Sequence, residues 1–317
     1  MTDISVLVPG RIHTRVIERL EGRFTLVRAD VATLDAATLA GIRGVAVSGS
    51  FPAAAIDALP NLEIIASFGV GYDGVDVSRA AARNIVVSNT PDVLNDEVAD
   101  TAVALVINTV RRLPQAEAFL RAGRWGRGES FPLSPLSLRG RRVGLYGLGR
   151  IGLEIAHRLE ALKLEIGYHT RNPRADVPYR YFGSLREMAG DVDILLCIVP
   201  KTPETHKAID ADILGALGPQ GVLINVGRGW SVDEAALIAA LESGTIAGAG
   251  LDVYYDEPHV PEALLGFEQV SLLPHVASAS VPTRNAMADL VADNIIDWFS
   301  IGRARTPVPE TPQPISG

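Results

Sequence analysis

The sequence predicts an α/β protein whose parallel sheets are covered by helices on both faces. Short runs rich in Val, Ile and Leu recur along the chain. They are continuously apolar rather than alternating, as expected of strands buried on both sides, and helical patterns separate them. With 317 residues, 47% of them hydrophobic, the chain is long enough for two cores of ordinary domain size.

In order, the runs "ISVLV", "FTLV", "GVAVS", "LEIIAS" and "IVVSN" form a first set of strands. A helix from about Asn95 to Arg112 follows, with Val98, Ala102, Leu105, Val106 and Thr109-Val110 near helical spacing. After it, "RAGRWGRGESFPLSPLSLRG" is too polar and too rich in Gly and Pro for core and longer than most connections, which points to a functional or interfacial loop. A second set comprises "RRVGLYG", "LEIGYH", "DILLCIV", "GVLINVG", "GAGLDVY" and "VSLLP". The ending "RTPVPETPQPISG" is proline-rich, and the expectation is a tail without a fixed fold of its own.

Charge and cysteine usage narrow the function classes. A formal net charge of -8 argues against a broad nucleic-acid surface, which rests on clustered Lys and Arg. The one cysteine, Cys197, lies in an apolar run, so a disulfide framework or a Cys-based metal site is excluded and a reducing compartment suits the chain. No basic region precedes the first short apolar run, and no stretch reaches the roughly 18 apolar residues of a membrane span. A soluble, untargeted, cytoplasmic protein is expected, with neither membrane nor nucleic acid as partner.

The motif with most chemical content is "VGLYGLGRIG", in which Gly147, Gly149 and Gly152 stand between a strand and a helix with the Leu153, Ala156, Leu159 rhythm. Gly147 permits a tight turn, Gly149 lets backbone approach a pyrophosphate, and Gly152 lets helix and strand pack closely. The helix start at Arg150, Ile151 and Gly152 offers N–H donors to the anion. The second strand of this unit ends at Thr170, Arg171 and Asn172, with Arg174 close behind. NAD sites place an acid there; here a guanidinium is available for a 2′-phosphate instead, so NADPH is the preferred cofactor and NAD remains possible.

Three ionisable residues follow strand ends: Arg228 in "INVGRG", Glu257 in "LDVYYDEP" and His275 in "SLLPHVASAS". Ligand crevices of parallel sheets lie beyond the carboxyl ends of strands. Together the three fit a carbonyl reduction: a cationic fork for an acid substrate, an imidazolium to protonate the oxygen, and a carboxylate to keep that imidazole charged. No pair of the six histidines has the spacing of a metal motif, so no metal is expected.

Four blocks, "GVGYDGVDV" (Gly69 to Val77), "GLGRIG" (Gly147 to Gly152), "NVGRGWSVDEAAL" (Asn225 to Leu237) and "GLDVYYDEP" through "LPHVASAS" (Gly250 to Ser280), resemble the D-isomer-specific 2-hydroxyacid dehydrogenase family over essentially the whole chain. The resemblance implies two doubly wound parallel-sheet domains: a Rossmann-type nucleotide domain, residues 98–284, inserted into a flavodoxin-like substrate domain built from 1–97 and 285–317. The crossover helices would lie near 98–112 and 283–300. Arg228, Glu257 and His275 match the family's catalytic arginine, glutamate and histidine. Val70 and Gly71 match the backbone that receives the substrate carboxylate, and Ser48 and Gly49 join the candidate substrate residues. Asp252 matches an acid near the nicotinamide; Ile198, Val199 and Pro200 match the stretch along the cofactor, to which Thr205, Val226 and Gly227 are added.

Within the family, "SFGVGYDGVD" and "HTRN" are most similar to NADPH-preferring glyoxylate and hydroxypyruvate reductases, which implies reduction of those acids to glycolate and D-glycerate. The alternatives are a reductase of a bulkier 2-oxoacid such as hydroxyphenylpyruvate and a dinucleotide-sensing binding protein of the same fold. Trp125 falls in the family's dimerisation arm, which implies a homodimer.

Overall fold

The computed structural model describes residues 4–312. They form two compact units, one from the residues up to Leu94 and from Ala279 onward, the other from Asn95 to Ser278. The units part at Leu94/Asn95 and Ser278/Ala279, a few residues from the expected boundaries.

In the first unit, β1 (Ser5–Leu7), β2 (Thr25–Val27), β3 (Ile42–Val47), β4 (Ile64–Ser67) and β5 (Val86–Ser88) form a parallel sheet ordered β2-β1-β3-β4-β5. Neighbouring residues face opposite helical layers, which is why the runs are apolar without a break. Leu7, Val45, Val47, Ile65 and Val87 enter one cluster. Val6, Ala46 and Ala66 enter the other, against Ala288, Val291, Ala292 and Ile295 of the helix Val281–Ile301.

The second unit holds β6 (Arg142–Tyr146), β7 (Glu165–His169), β8 (Arg180–Tyr181), β9 (Ile194–Cys197), β10 (Val222–Asn225), β11 (Gly248–Leu251) and β12 (Val270–Leu272). Their order is β12-β11-β10-β9-β6-β7-β8, all parallel. Strand order reverses between β6 and β9, so the carboxyl ends of these two strands flank the switch point where such sheets bind ligands. The helices Asn95–Arg111 and Arg150–Ala161 cover one face through Ala102, Leu105, Ile155 and Leu159. Three shorter helices, Leu185–Asp191, Ala211–Leu217 and Glu234–Glu242, cover the other. The two-residue strand β8 escapes a reading of apolar runs because it pairs only Arg180 and Tyr181 with Gly167 and Tyr168 at the sheet edge. Among the described residues no helix is long and apolar enough to cross a membrane.

The expectation of an unfixed tail is corrected over residues 305–312. Pro307 bridges antiparallel to Ser88, and the Val308 N–H donates to the Val87 carbonyl at 2.8 Å. Val308 and Thr311 are buried, and Arg305 pairs with Asp293 and Asp297 at 2.6 Å each. Prolines cannot complete a ladder, yet they are tolerated beside an edge strand, and the apolar and charged residues between them supply the anchors. Residues 313–317 lie outside the described residues.

The loop after the helix Leu113–Arg121 is locally braced rather than free at its start. Arg124 pairs with Glu129 at 2.7 Å and lies 4.5 Å over the Phe119 ring, which meets Phe131 edge-on at 5.5 Å. Trp125 and Leu133 nonetheless stay 70% and 93% exposed.

Candidate active site

The three glycines after β6 divide into two roles. A side chain at Gly147, where φ is +103, would meet the Ile198 carbonyl at 2.8 Å, and one at Gly152 would meet the Gly147 carbonyl at 2.7 Å. Those two are required by the protein's own turn and packing. At Gly149 an added Cβ meets nothing within 4 Å. Its open surface fronts the helix Arg150–Ala161, which starts without a side-chain cap and makes its first backbone bond from Leu153 to the Gly149 carbonyl, 3.0 Å. Room beside the first N–H groups of a helix at the switch point fits a dinucleotide pyrophosphate.

Past β7, Thr170 donates to the Asn172 carbonyl at 2.7 Å and shapes the turn that carries exposed Arg171. Arg174 serves the protein instead: its guanidinium holds Asp176 at 3.0 Å and the Leu148 carbonyl at 2.6 Å. Arg171, by contrast, is exposed, and hydrogen bonds first, then its charge, hold the Glu204 carboxyl below its ordinary range. After β9, Ile198 and Val199 pack against the glycine turn. The Thr205 hydroxyl is engaged by its own loop, donating toward the Pro200 carbonyl at 2.8 Å and accepting from the Thr202 N–H at 2.9 Å. It shapes the loop that presents exposed Pro200.

Arg228 sits on a turn that its neighbours lock. Its carbonyl accepts from Asn225 Nδ2 at 2.9 Å and from the Ser231 hydroxyl at 2.6 Å, and both of those side chains are fully buried. Gly227 donates its N–H to Asn225 Oδ1 at 3.1 Å, and Val226 donates to the Cys197 carbonyl at 3.1 Å. At Gly229 the chain of Tyr254 passes within 1.9 Å of where a Cβ would be, so no other residue fits there. The Arg228 backbone is thus fixed, and its partly buried side chain donates from Nη1 to the Gly227 carbonyl at 2.8 Å.

His275 and Glu257 meet directly. The His275 Nδ1–H donates to Glu257 Oε2 at 2.6 Å, leaving Nε2 as the ring atom that can present a proton. Burial alone would raise the Glu257 carboxyl, but hydrogen bonds from His275 and from the Tyr254 N–H, with the charges of His275 and Arg228, hold it below its ordinary range. His275 has a left-handed backbone, φ 53, which is costly for a non-glycine residue unless its surroundings enforce it. Asp252, 1% exposed, does so. Its carbonyl accepts from the His275 N–H at 2.8 Å, and its carboxylate oxygens accept from Val276 at 2.8 Å and Ala277 at 3.1 Å. Burial pushes the Asp252 carboxyl upward.

In the first unit, the loop after β4 is held through its carbonyl groups. The Gly69 carbonyl accepts from the Thr90 N–H at 2.8 Å, and the Val70 carbonyl accepts from Asn89 Nδ2 at 2.8 Å. In a planar trans peptide the carbonyl and the following N–H point oppositely, so the N–H groups of Val70 and Gly71 are turned away from β5 together. Ser48 and Gly49 lie exposed beyond β3, Gly49 with φ +94.

A family profile described as D-isomer specific 2-hydroxyacid dehydrogenase, NAD binding domain, matches residues 103–277. The hydroxyphenylpyruvate reductase of Plectranthus scutellarioides is 44% identical over 315 residues, covering 97% of this chain and 100% of its own. The glyoxylate/hydroxypyruvate reductase A HPR2 of Arabidopsis thaliana is 44% identical over 314 residues, with the same coverage of 97% and 100%. The chain belongs to the D-isomer-specific 2-hydroxyacid dehydrogenase family. Among solved structures, the NADPH-dependent glyoxylate/hydroxypyruvate reductase of Sinorhizobium meliloti in complex with NADP and malonate superposes with a TM-score of 0.96 at 63% identity, covering 98% of each chain.

The structure of this dehydrogenase also reveals supporting residues that motif reading passes over. Asn225 and Ser231 clamp Arg228; the one available signal was a polar Asn closing an otherwise apolar strand. Trp230 meets His206 at a tilt, ring centroids 3.9 Å apart, stacks on Tyr255 at 5.9 Å, and donates its Nε1–H to the Thr202 carbonyl at 2.8 Å, bracing the turn that carries it. Among the described residues no cluster of His, Cys, Asp or Glu is suited to a metal ion.

Proposed function

We propose that the protein reduces small 2-oxoacids, glyoxylate and hydroxypyruvate, to glycolate and D-glycerate with NADPH. The Glu257–His275 pair carries this reading, because a carboxylate bonded to Nδ1 fixes the ring and leaves Nε2 for the substrate oxygen. The substrate carboxylate is received by the N–H groups of Val70 and Gly71, with Ser48 and Gly49 beside them. Arg228 orients the carboxylate and the ketone oxygen. NADPH, when bound, would supply the hydride for the carbonyl carbon, and His275 Nε2 would hold the proton for the developing alkoxide, so that 2-oxoacid, NADPH and one proton would give 2-hydroxyacid and NADP.

The backbone at Gly149, Arg150, Ile151 and Gly152 would hold the pyrophosphate, and Arg171 the 2′-phosphate, with Thr170 and Asn172 shaping its turn. Ile198, Val199, Pro200 and Thr205 would line the dinucleotide on one side, Val226, Gly227 and Asp252 on the other. The similarity to the Sinorhizobium meliloti enzyme supports small acids and NADPH, while the Plectranthus relative favours a bulkier substrate as the second reading. Ranking glyoxylate, hydroxypyruvate and hydroxyphenylpyruvate by kcat/KM, each with NADPH and NADH, separates the two. We assign the cytoplasm as its compartment, given the single buried Cys197. A homodimer is also proposed: Leu113, Leu120, Trp125 and Leu133 are exposed apolar side chains gathered in one stretch, and light scattering after size exclusion reads the mass directly.

A further inference from the structure

The C-terminal residues beside β5 reach beyond that strand to the loop that carries Val70 and Gly71. Thr306 ties three parts of the first unit together. Its N–H donates to Asn294 Oδ1 at 2.9 Å, its hydroxyl donates to the Asn89 carbonyl at 2.7 Å, and its carbonyl accepts from the Asn89 N–H at 3.2 Å. Asn294, fully buried in the helix Val281–Ile301, also donates from Nδ2 to the Thr306 hydroxyl at 2.9 Å. Asn89 is therefore gripped at both backbone groups, and its side chain is the donor that holds the Val70 carbonyl. Farther along, the Glu310 carboxylate accepts from the Tyr72 hydroxyl at 3.1 and 3.2 Å. Tyr72 directly follows Gly71, so the segment touches the loop on both sides.

We propose that the C-terminal segment 305–311 positions the anion loop, with Thr306 and Glu310 as positioning residues that keep the Val70 and Gly71 N–H groups aimed together. This rests on the reading that the loop receives the substrate carboxylate. The edge of β5 is covered by the Pro307 bridge, the Val308 anchor and the Thr311 hydroxyl, which accepts from the Val87 N–H at 3.2 Å; the bonds of Thr306 and Glu310 instead reach past the strand into the loop. A buried Asn294 in place of an apolar residue is costly to packing unless its hydrogen bonds are completed, and Thr306 completes them. Burial first, and then the Glu310 carboxylate, push the Tyr72 hydroxyl above its usual range, so it remains a donor.

The test compares Thr306→Val, Glu310→Ala and Glu310→Gln in the full chain. Each is assayed with glyoxylate and with its neutral methyl ester, and NADPH affinity is measured by fluorescence titration. Loss of one net hydrogen bond predicts a rise in glyoxylate KM of about twofold to fivefold for Glu310→Ala, and of about tenfold for Thr306→Val, which strands buried partners. The preference for the acid over the ester falls by the same factor, while kcat and NADPH affinity hold. Glu310→Gln, which keeps an acceptor for Tyr72, restores wild-type KM. If Glu310→Ala and any folded Thr306→Val lower only the melting temperature and leave KM and acid preference unchanged, the segment merely covers β5 and the proposal is overturned. Should Thr306→Val not fold, Glu310→Ala on the outer side decides alone. A wild-type enzyme that fails to prefer the acid over the ester would instead overturn the carboxylate reading itself, and the proposal with it.

Discussion

Replacing Glu257 with Gln tests the electrostatic half of the mechanism while keeping the shape of the site. The amide can still hydrogen-bond His275 Nδ1 but brings no charge. The wild-type carboxylate, held below its ordinary range by its partners, stays ionised throughout a neutral assay. His275 and Glu257 keep 48% and 33% of their side chains exposed, so the pair lies nearer the aqueous limit than the buried one. A hydrogen bond to the charged carboxylate then exceeds its neutral amide counterpart by roughly 1 to 2 kcal/mol. Glu257→Gln should therefore lower kcat/KM for reduction by about fivefold to thirtyfold, because positive charge on the ring that delivers the proton loses its counter-charge. Cofactor affinity should hold, since Glu257 bonds His275 and the Tyr254 N–H rather than the nucleotide turn. The assay is kcat/KM at saturating cofactor, with NADPH affinity measured by titration. A Glu257→Gln enzyme within about twofold of wild type would refute the electrostatic role and leave Glu257 a positioning residue.

Further consequences are as direct. Arg171→Asp should weaken NADPH by about tenfold to a hundredfold, as expected for losing a charge-assisted bond, with NADH much less affected; equal loss for both would show that Arg171 does not meet the 2′-phosphate. Arg228→Lys should lower kcat/KM strongly while NADPH affinity stays, because an ammonium lacks the planar fork; titration and steady-state kinetics together check this. Gly149→Ala should leave the melting temperature unchanged yet weaken NADPH. Gly152→Ala, driven against the Gly147 carbonyl, should cost about 1 to 3 kcal/mol of stability, read by urea unfolding.

Much of this was legible in the sequence because burial on both sheet faces leaves an unbroken apolar run. Each of the eleven runs contains a strand, whereas β8, with one charged and one aromatic residue, carries no such signal. The spacing of the glycines announced the turn, but only packing distinguishes Gly149, which faces open space, from Gly147 and Gly152, which the protein itself requires. Arg228, Glu257 and His275 were visible as charges beyond strand ends. Their supports, Asn225, Ser231 and the Trp230 stack, depend on contacts between residues far apart in the chain. The tail misled because proline content describes what cannot form a ladder. It does not register that Val308 can be buried or that Thr306 finds partners on two elements.

Steady-state NADPH oxidation with hydroxypyruvate, coupled to chiral analysis of the product, shows whether hydride passes from NADPH to a small 2-oxoacid and whether His275 supplies the proton. Sustained turnover to D-glycerate is expected, faster with NADPH than with NADH at equal concentration, with collapse of kcat in His275→Asn and cofactor binding preserved. Cofactor binding without turnover, L-glycerate as product, or undiminished kcat in His275→Asn would contradict this mechanism.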